Sequence, residues 1–192
     1  MSEILAVSSI LLWLIVLFNL LITLTLVRRF KPGHTDGLKV GQQAPAFSAD
    51  TADGRTVDLA TYAGRKVAFV FFATNCAPCR DALPNYETLG PKAARSGVEL
   101  VLVSVDTMER TQVFIDELHV RLPVLVAPRE SNPFMRDYNI TGTPSYCLIG
   151  DSGKVESAGY PNPDWGEWKS LADSWEAVSE MPKSSVMLAE RR

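Results

Sequence analysis

An α/β sandwich with a mixed sheet, preceded by one apolar helix, is the fold this sequence predicts, on three observations. Buried β-prone runs alternate with amphipathic stretches along residues 66–178, a Gly-turn hairpin closes the series, and residues 4–27 form an uncharged apolar run. Of the 192 residues, those beyond the apolar run are enough for one domain of ordinary size with one core.

The apolar run is long enough to cross a bilayer, which takes about 20 residues at helical rise. Its polar members are single Ser, Thr and Asn side chains that a helix satisfies with its own carbonyls. No Lys or Arg precedes it and no small-x-small site follows it, so an uncleaved anchor is expected instead of a signal peptide. A buried core helix would show a polar face, which the run lacks. The expected organisation is a transmembrane anchor over residues 1–30, a polar linker over 31–39 with Pro32, Gly33 and Gly37, a domain over 40–179, and a patternless tail over 180–192. Arg28, Arg29 and Lys31 follow the span directly, and by the positive-inside rule alone they place the domain in the cytoplasm.

Within the domain, residues 46–48 and 56–59, parted by the turn signal Asp53-Gly54, read as short strands or a hairpin. Residues 66–73 (KVAFVFFA) are a continuous β-prone run, the pattern of a strand buried on both faces. A helix is expected over 78–96, with Leu83, Tyr86, Glu87 and Leu89 mainly on one face. A second buried strand is expected at 98–105, a helix at 109–118, a short apolar segment at 123–127 and a helical turn or two at 132–138. A strand at 145–149, a turn at 151–154 (DSGK) and a return strand at 155–159 form the hairpin. The last helix is expected over 164–178, capped around Pro163-Asp164, with Trp165, Trp168, Leu171, Trp175 and Val178 as its core stripe.

A net charge of −3 with mixed signs offers no basic face, so nucleic acid is not an expected partner. The three cysteines are too few for a disulfide framework. Cys76-Ala77-Pro78-Cys79 sits where the central strand feeds a helix. There the unpaired N–H groups and the positive dipole end favour a thiolate at Cys76, with Cys79 one turn inside as the resolving thiol. Pro78 suits a first helical turn, and Asn75, Ala77 and Pro78 form the surroundings of the pair. A zinc site would need a second ligand pair, which scattered His34, His119 and Cys147 do not make, and no metal or other cofactor is expected. Haem attachment would need His where Arg80 stands, and a purely structural pair is the remaining alternative. Cys147, inside an apolar strand, reads as a small buried residue.

Four segments resemble the thioredoxin superfamily, and within it the membrane-tethered branch of the TlpA and ResA types and the methylamine dehydrogenase maturation protein MauD. They are residues 40–47 (VGQQAPAF), Phe71-Phe72-Ala73-Thr74-Asn75 before the cysteines, Val103-Ser104-Val105-Asp106, and Gly142-Thr143-Pro144-Ser145-Tyr146. The resemblance implies a thioredoxin-like three-layer sandwich, with Pro144 cis, facing the sulfurs, and Thr143 and Pro144 binding an extended substrate segment. Asn75 replaces a Trp common in the family, and Ala82 replaces the Glu found after the cysteines in many ResA and TlpA members. The apolar run near residue 4 and Leu83-Pro84 resemble the MauD branch.

The expected activity is thiol–disulfide exchange with a protein client bearing cysteines or disulfides, served by an unidentified redox partner. Maturation of an extracytoplasmic, methylamine dehydrogenase-like enzyme fits that resemblance. A peroxiredoxin-like peroxidase is an alternative, but Ala73 stands where its Thr would be, with Thr74 one step off. A non-catalytic tethered binding module is another. The resemblance places the domain on the outer, periplasmic side, against the basic flank, and the outer side is the expectation adopted.

Overall fold

The strand predicted most strongly, β3 (Lys66–Phe72), is the middle of the sheet, and its period of two divides the core. Val67, Phe69 and Phe71 enter one layer, while Ala68, Val70 and Phe72 enter the other, and all six are buried. The computed structural model describes the backbone of residues 2–29, 37–164 and 166–180, and the side chains of 7–23, 37–164 and 166–179. Residues 31–36 of the expected 31–39 linker, Trp165, and the expected tail after Glu180 lie outside the described residues.

The chain divides into two units, Met1–His34 and Thr35–Arg192. The first carries α1 (Ser2–Arg29), whose Val7, Leu12, Trp13 and Phe18 are all exposed and whose Thr23 hydroxyl donates to the Asn19 carbonyl at 2.8 Å. Among the described residues no helix is long and apolar enough to cross a membrane. The described side chains of α1 stop at Thr23, inside the expected span of 4–27.

In the second unit the elements follow as β1 (Ser48–Thr51), β2 (Thr56–Asp58), a 3-10 turn (Leu59–Tyr62), β3, α2 (Ala77–Arg95) and β4 (Val98–Ser104). Then come α3 (Met108–Leu118), β5 (Val124–Val126), α4 (Phe134–Asp137), β6 (Ser145–Ile149), β7 (Val155–Gly159) and α5 (Gly166–Glu180). The seven strands lie in the order β2-β1-β5-β4-β3-β6-β7. β3, β4 and β5 are parallel, and β1, β6 and β7 join antiparallel, which makes the sheet mixed as expected.

One layer is aromatic. Phe134 stacks on Phe47 at 4.0 Å between ring centroids and meets Phe69, Phe71 and Tyr138 edge-on. Such pairs contribute about 0.5–1.5 kcal/mol each beyond area burial. The other layer packs α2 and α5 on the sheet, with Trp168 edge-on to Tyr86, Tyr146 and Trp175. The Trp168–Trp175 half of the expected stripe is thus core, while Leu171 and Val178 are only partly covered.

Several expected boundaries move. The first strand is Ser48–Thr51, not 46–48, because Pro45 has no N–H for a ladder and its carbonyl is taken by the Tyr138 hydroxyl at 2.9 Å. The final helix starts at Gly166, two residues after the expected Asp164, because Gly166 takes φ +83 and no helix runs through that conformation. Gly37 donates to the Asn139 carbonyl and Leu38 is buried, so the folded body already includes residues before Val40. Gly37 has φ +118, and a Cβ there would stand 2.8 Å from that of Ala158.

Candidate active site

Strand direction brings the chemistry together. Phe72 of β3 pairs with Ser104 of the parallel β4, and Phe71 pairs with Ser145 of the antiparallel β6. The residues after β3, after β4 and before β6 therefore meet at one end of the sheet. These carry Cys76, Asp106 and Thr143-Pro144.

Cys76 is the N-cap of α2, with extended backbone (φ −84°, ψ 106°) and Pro78 in the first turn. Its sulfur accepts the Cys79 N–H at 3.2 Å, and its carbonyl accepts from Cys79 and Arg80 at 3.1 Å each. A sulfur thus stands where a capping oxygen usually does, facing the free N–H groups of a helix start. The two sulfurs are joined in a disulfide. Cys79 is 2% exposed among Phe72, Leu83 and Tyr86, whereas Cys76 is partly open and Asn75, Ala77 and Pro78 beside it are exposed. A partner can reach one sulfur and not the other.

The Thr143–Pro144 peptide is cis, and the Thr143 carbonyl oxygen lies 3.4 Å from the Cys76 sulfur. All seven residues singled out in the sequence (Asn75, Cys76, Ala77, Pro78, Cys79, Thr143, Pro144) stand at this end of the sheet.

Two further side chains bind the loop ahead of Cys76. The Asp106 carboxylate accepts from the Thr74 N–H at 2.6 Å and the Thr74 hydroxyl at 2.9 Å. Arg80 donates to the Thr74 carbonyl at 3.4 Å, pairs with Glu117, and lies 5.4 Å over the Phe114 ring. Thr74 and Asp106 belonged to recognised segments without a role, and only the spacing of each from its strand end hinted at their meeting. Beside this loop runs a groove of about 580 Å³ bounded by Asn75, Arg80, Arg110, Val113 and Phe114.

Ala82 is partly buried in the apolar cluster that holds Cys79. Cys147 is fully buried, and burial pushes its thiol from 9.0 up to about 12. Among the described residues no group of three His, Cys, Asp or Glu is placed to hold a metal.

Residues 40–158 match the AhpC/TSA family. The chain is 31% identical over 124 residues to the thioredoxin-like protein YneN of Bacillus subtilis, covering 62% of this chain and 71% of that one. It is 26% identical over 119 residues to the thiol-disulfide oxidoreductase ResA of Bacillus thuringiensis, covering 62% and 68%. A crystal structure from Chlorobium tepidum, described as a thiol:disulfide interchange protein DsbE, superposes with a TM-score of 0.62 at 27% identity, covering 73% of this chain and 98% of that one.

Proposed function

The chain belongs to the AhpC/TSA family of thioredoxin-like proteins, and from that membership we propose that Cys76 and Cys79 carry disulfide exchange with cysteine-bearing protein clients. The protein is a thiol–disulfide oxidoreductase. The observation that carries the assignment of roles is the asymmetry of the pair: an open Cys76 capping a helix, bonded to a buried Cys79.

From the oxidised protein, a client thiolate attacks the Cys76 sulfur, the Cys76–Cys79 bond breaks, and Cys79 leaves as a thiolate that takes up a proton. A second client thiolate then attacks the client sulfur of the mixed disulfide, the client disulfide forms, and Cys76 leaves reduced. Two electrons have passed from client to protein, and the reverse sequence reduces a client. The helix N-terminus stabilises the thiolate at Cys76. Thr143 and Pro144 border the reacting sulfur, and Pro144 has no N–H to compete with a client backbone. A peroxidase would want a hydroxyl aimed at the attacking sulfur, whereas the Thr74 hydroxyl donates to Asp106.

In Cys79→Ser the Cys76 thiolate still attacks a client disulfide, as in the reverse sequence, but no resolving thiol remains, so a client should accumulate as a mixed disulfide through Cys76. Recovery of no trapped protein would count against the exchange reading. Client maturation that survives Cys76→Ser with Cys79→Ser would establish a binding module instead.

The uncharged run at 4–27 supports a membrane anchor, and the MauD-like features (the early apolar run and Leu83-Pro84) support a maturation role for an extracytoplasmic enzyme. The domain then faces the periplasmic side, against the bias of Arg28, Arg29 and Lys31. An engineered surface cysteine in intact cells should react strongly with an impermeant thiol reagent, and protection would reverse the orientation.

A further inference from the structure

The polar contacts around the cysteine loop form a closed ring. The buried hydroxyls of Ser104 and Thr111 stand 2.6 Å apart, and Thr111 donates to the Thr107 carbonyl at 2.8 Å. A hydroxyl has one proton to give, so Ser104 donates to Thr111 and its oxygen is free to accept the Asp106 N–H at 3.3 Å. The Asp106 carboxylate then takes both donors of Thr74, and Arg80 takes the Thr74 carbonyl and returns to α3 through Glu117. The order is α3, end of β4, Asp106, Thr74, first turn of α2, and α3 again.

The ring closes on the residue whose placement decides where Cys76 points. The Cys76 N–H reaches back to the Ala73 carbonyl at 3.1 Å, so the turn is anchored on both sides of Thr74. Nothing at Ala82 supplies an acid to tune the pair, and Cys79 lies in an apolar cluster, which leaves the capping geometry as the means of stabilising a thiolate. A capping sulfur that swings off the helix end loses its N–H partner and the field of the first turn.

We propose that Asp106 is a positioning residue for disulfide exchange: by holding the Thr74 N–H and hydroxyl it keeps the Cys76 sulfur on the N-terminus of α2. This rests on Cys76 being the exchanging thiol. The carboxylate does not touch a substrate. Its contribution is transmitted through the Thr74–Cys76 turn.

The test uses the full reduced chain in mild detergent and an aromatic disulfide, dithiobis(nitrobenzoate), as probe. Attack by the Cys76 thiolate releases coloured thionitrobenzoate, and the second-order rate constant is followed against pH. In Asp106→Ala the midpoint should move up by about one unit and the rate near neutral pH fall about tenfold, the scale of a lost charge-assisted hydrogen bond. Asp106→Asn keeps an acceptor for the Thr74 N–H and should recover most of the rate, and Thr74→Val, which removes one of two bonds, should lose about threefold. A pH profile in Asp106→Ala that superimposes on the parent's, or a midpoint that falls because a nearby negative charge is gone, overturns the proposal. So does Asp106→Asn behaving as Asp106→Ala. Should Asp106→Ala not fold, Thr74→Val decides, since an unchanged profile there is equally fatal. A parent chain that exchanges no faster than Cys76→Ser would defeat the disulfide-exchange reading itself, which separates the two failures.

Discussion

Cys147 offers a quantitative test of whether a cysteine near the active pair belongs to the chemistry or to the core. It lies on β6 opposite Phe69 on one side and Ala158 on the other, fully buried in the aromatic layer. Burial disfavours the thiolate and moves the thiol from 9.0 to about 12. In the unfolded chain the thiol ionises near its ordinary value, while the folded chain keeps the proton. Between those two values the unfolded state binds fewer protons, so stability falls as pH rises. At about pH 10, one unit above the ordinary thiol, the loss from this residue is RT ln(1 + 10), about 1.4 kcal/mol. Cys147→Ala should cost about 1–2 kcal/mol at neutral pH, the scale of one buried heavy atom and its void.

The measurement is denaturant unfolding of parent and Cys147→Ala, each as the full chain with excess phosphine reductant, followed by the fluorescence of the buried tryptophans. The other cysteines and tyrosines are common to both proteins, and Tyr138 and Tyr146, which Cys147 also touches electrostatically, are held above their ordinary range chiefly by burial, which the variant keeps. The stability gap between parent and variant should shrink by about 1.4 kcal/mol from neutral pH to pH 10, with disulfide exchange unaltered. A gap independent of pH would refute the burial argument. An exchange rate reduced tenfold in Cys147→Ala would refute its assignment to the core.

Phe134→Ala removes a fully buried ring from contact with Phe47, Phe69, Phe71 and Tyr138 and should cost about 3–5 kcal/mol in denaturant unfolding; a loss under 1 kcal/mol would mean the layer refills the void. Glu87, whose side chain is 14% exposed, accepts from the N–H groups of Arg121 at 2.8 Å and Leu122 at 3.1 Å, securing the segment after α3 to α2. Glu87→Ala should lower stability by about 1–3 kcal/mol and Glu87→Gln by less, and equal losses would show that the carboxylate acts by charge and not by acceptance.

The parts of the fold legible in the sequence are those whose signal is local. The run at 66–73 could only be a strand covered on both faces, and the DSGK turn predicts its hairpin from residue chemistry alone, with the Gly150 N–H donating to the Lys154 carbonyl. The cysteine pair was legible for the same reason, since a C-x-x-C with Pro at the start of a helix carries its own environment. The first strand was misplaced because what decides it is remote: Tyr138 takes the Pro45 carbonyl from 93 residues away, and Pro45 itself brings no donor. The last helix starts late because Gly166 takes φ +83, which no helix entering from Asp164 can run through.

The same distinction explains why the cysteines were found and Asp106 was not. Val103-Ser104-Val105-Asp106 could be recognised as a segment, yet nothing within it says what the carboxylate meets. That follows from the parallel register of β3 and β4, in which Phe72 faces Ser104 and the ladder continues as Val105 donates to the Phe72 carbonyl at 3.0 Å. Thr74 and Asp106 each lie two residues past the last pair, so register alone sets them side by side. A shift of one residue in that pairing would leave both motifs intact in the sequence and separate them in space. The support of the reacting sulfur is therefore a property of the sheet, and the reactivity of Cys76 should depend on the β3–β4 pairing as well as on the composition of its own loop.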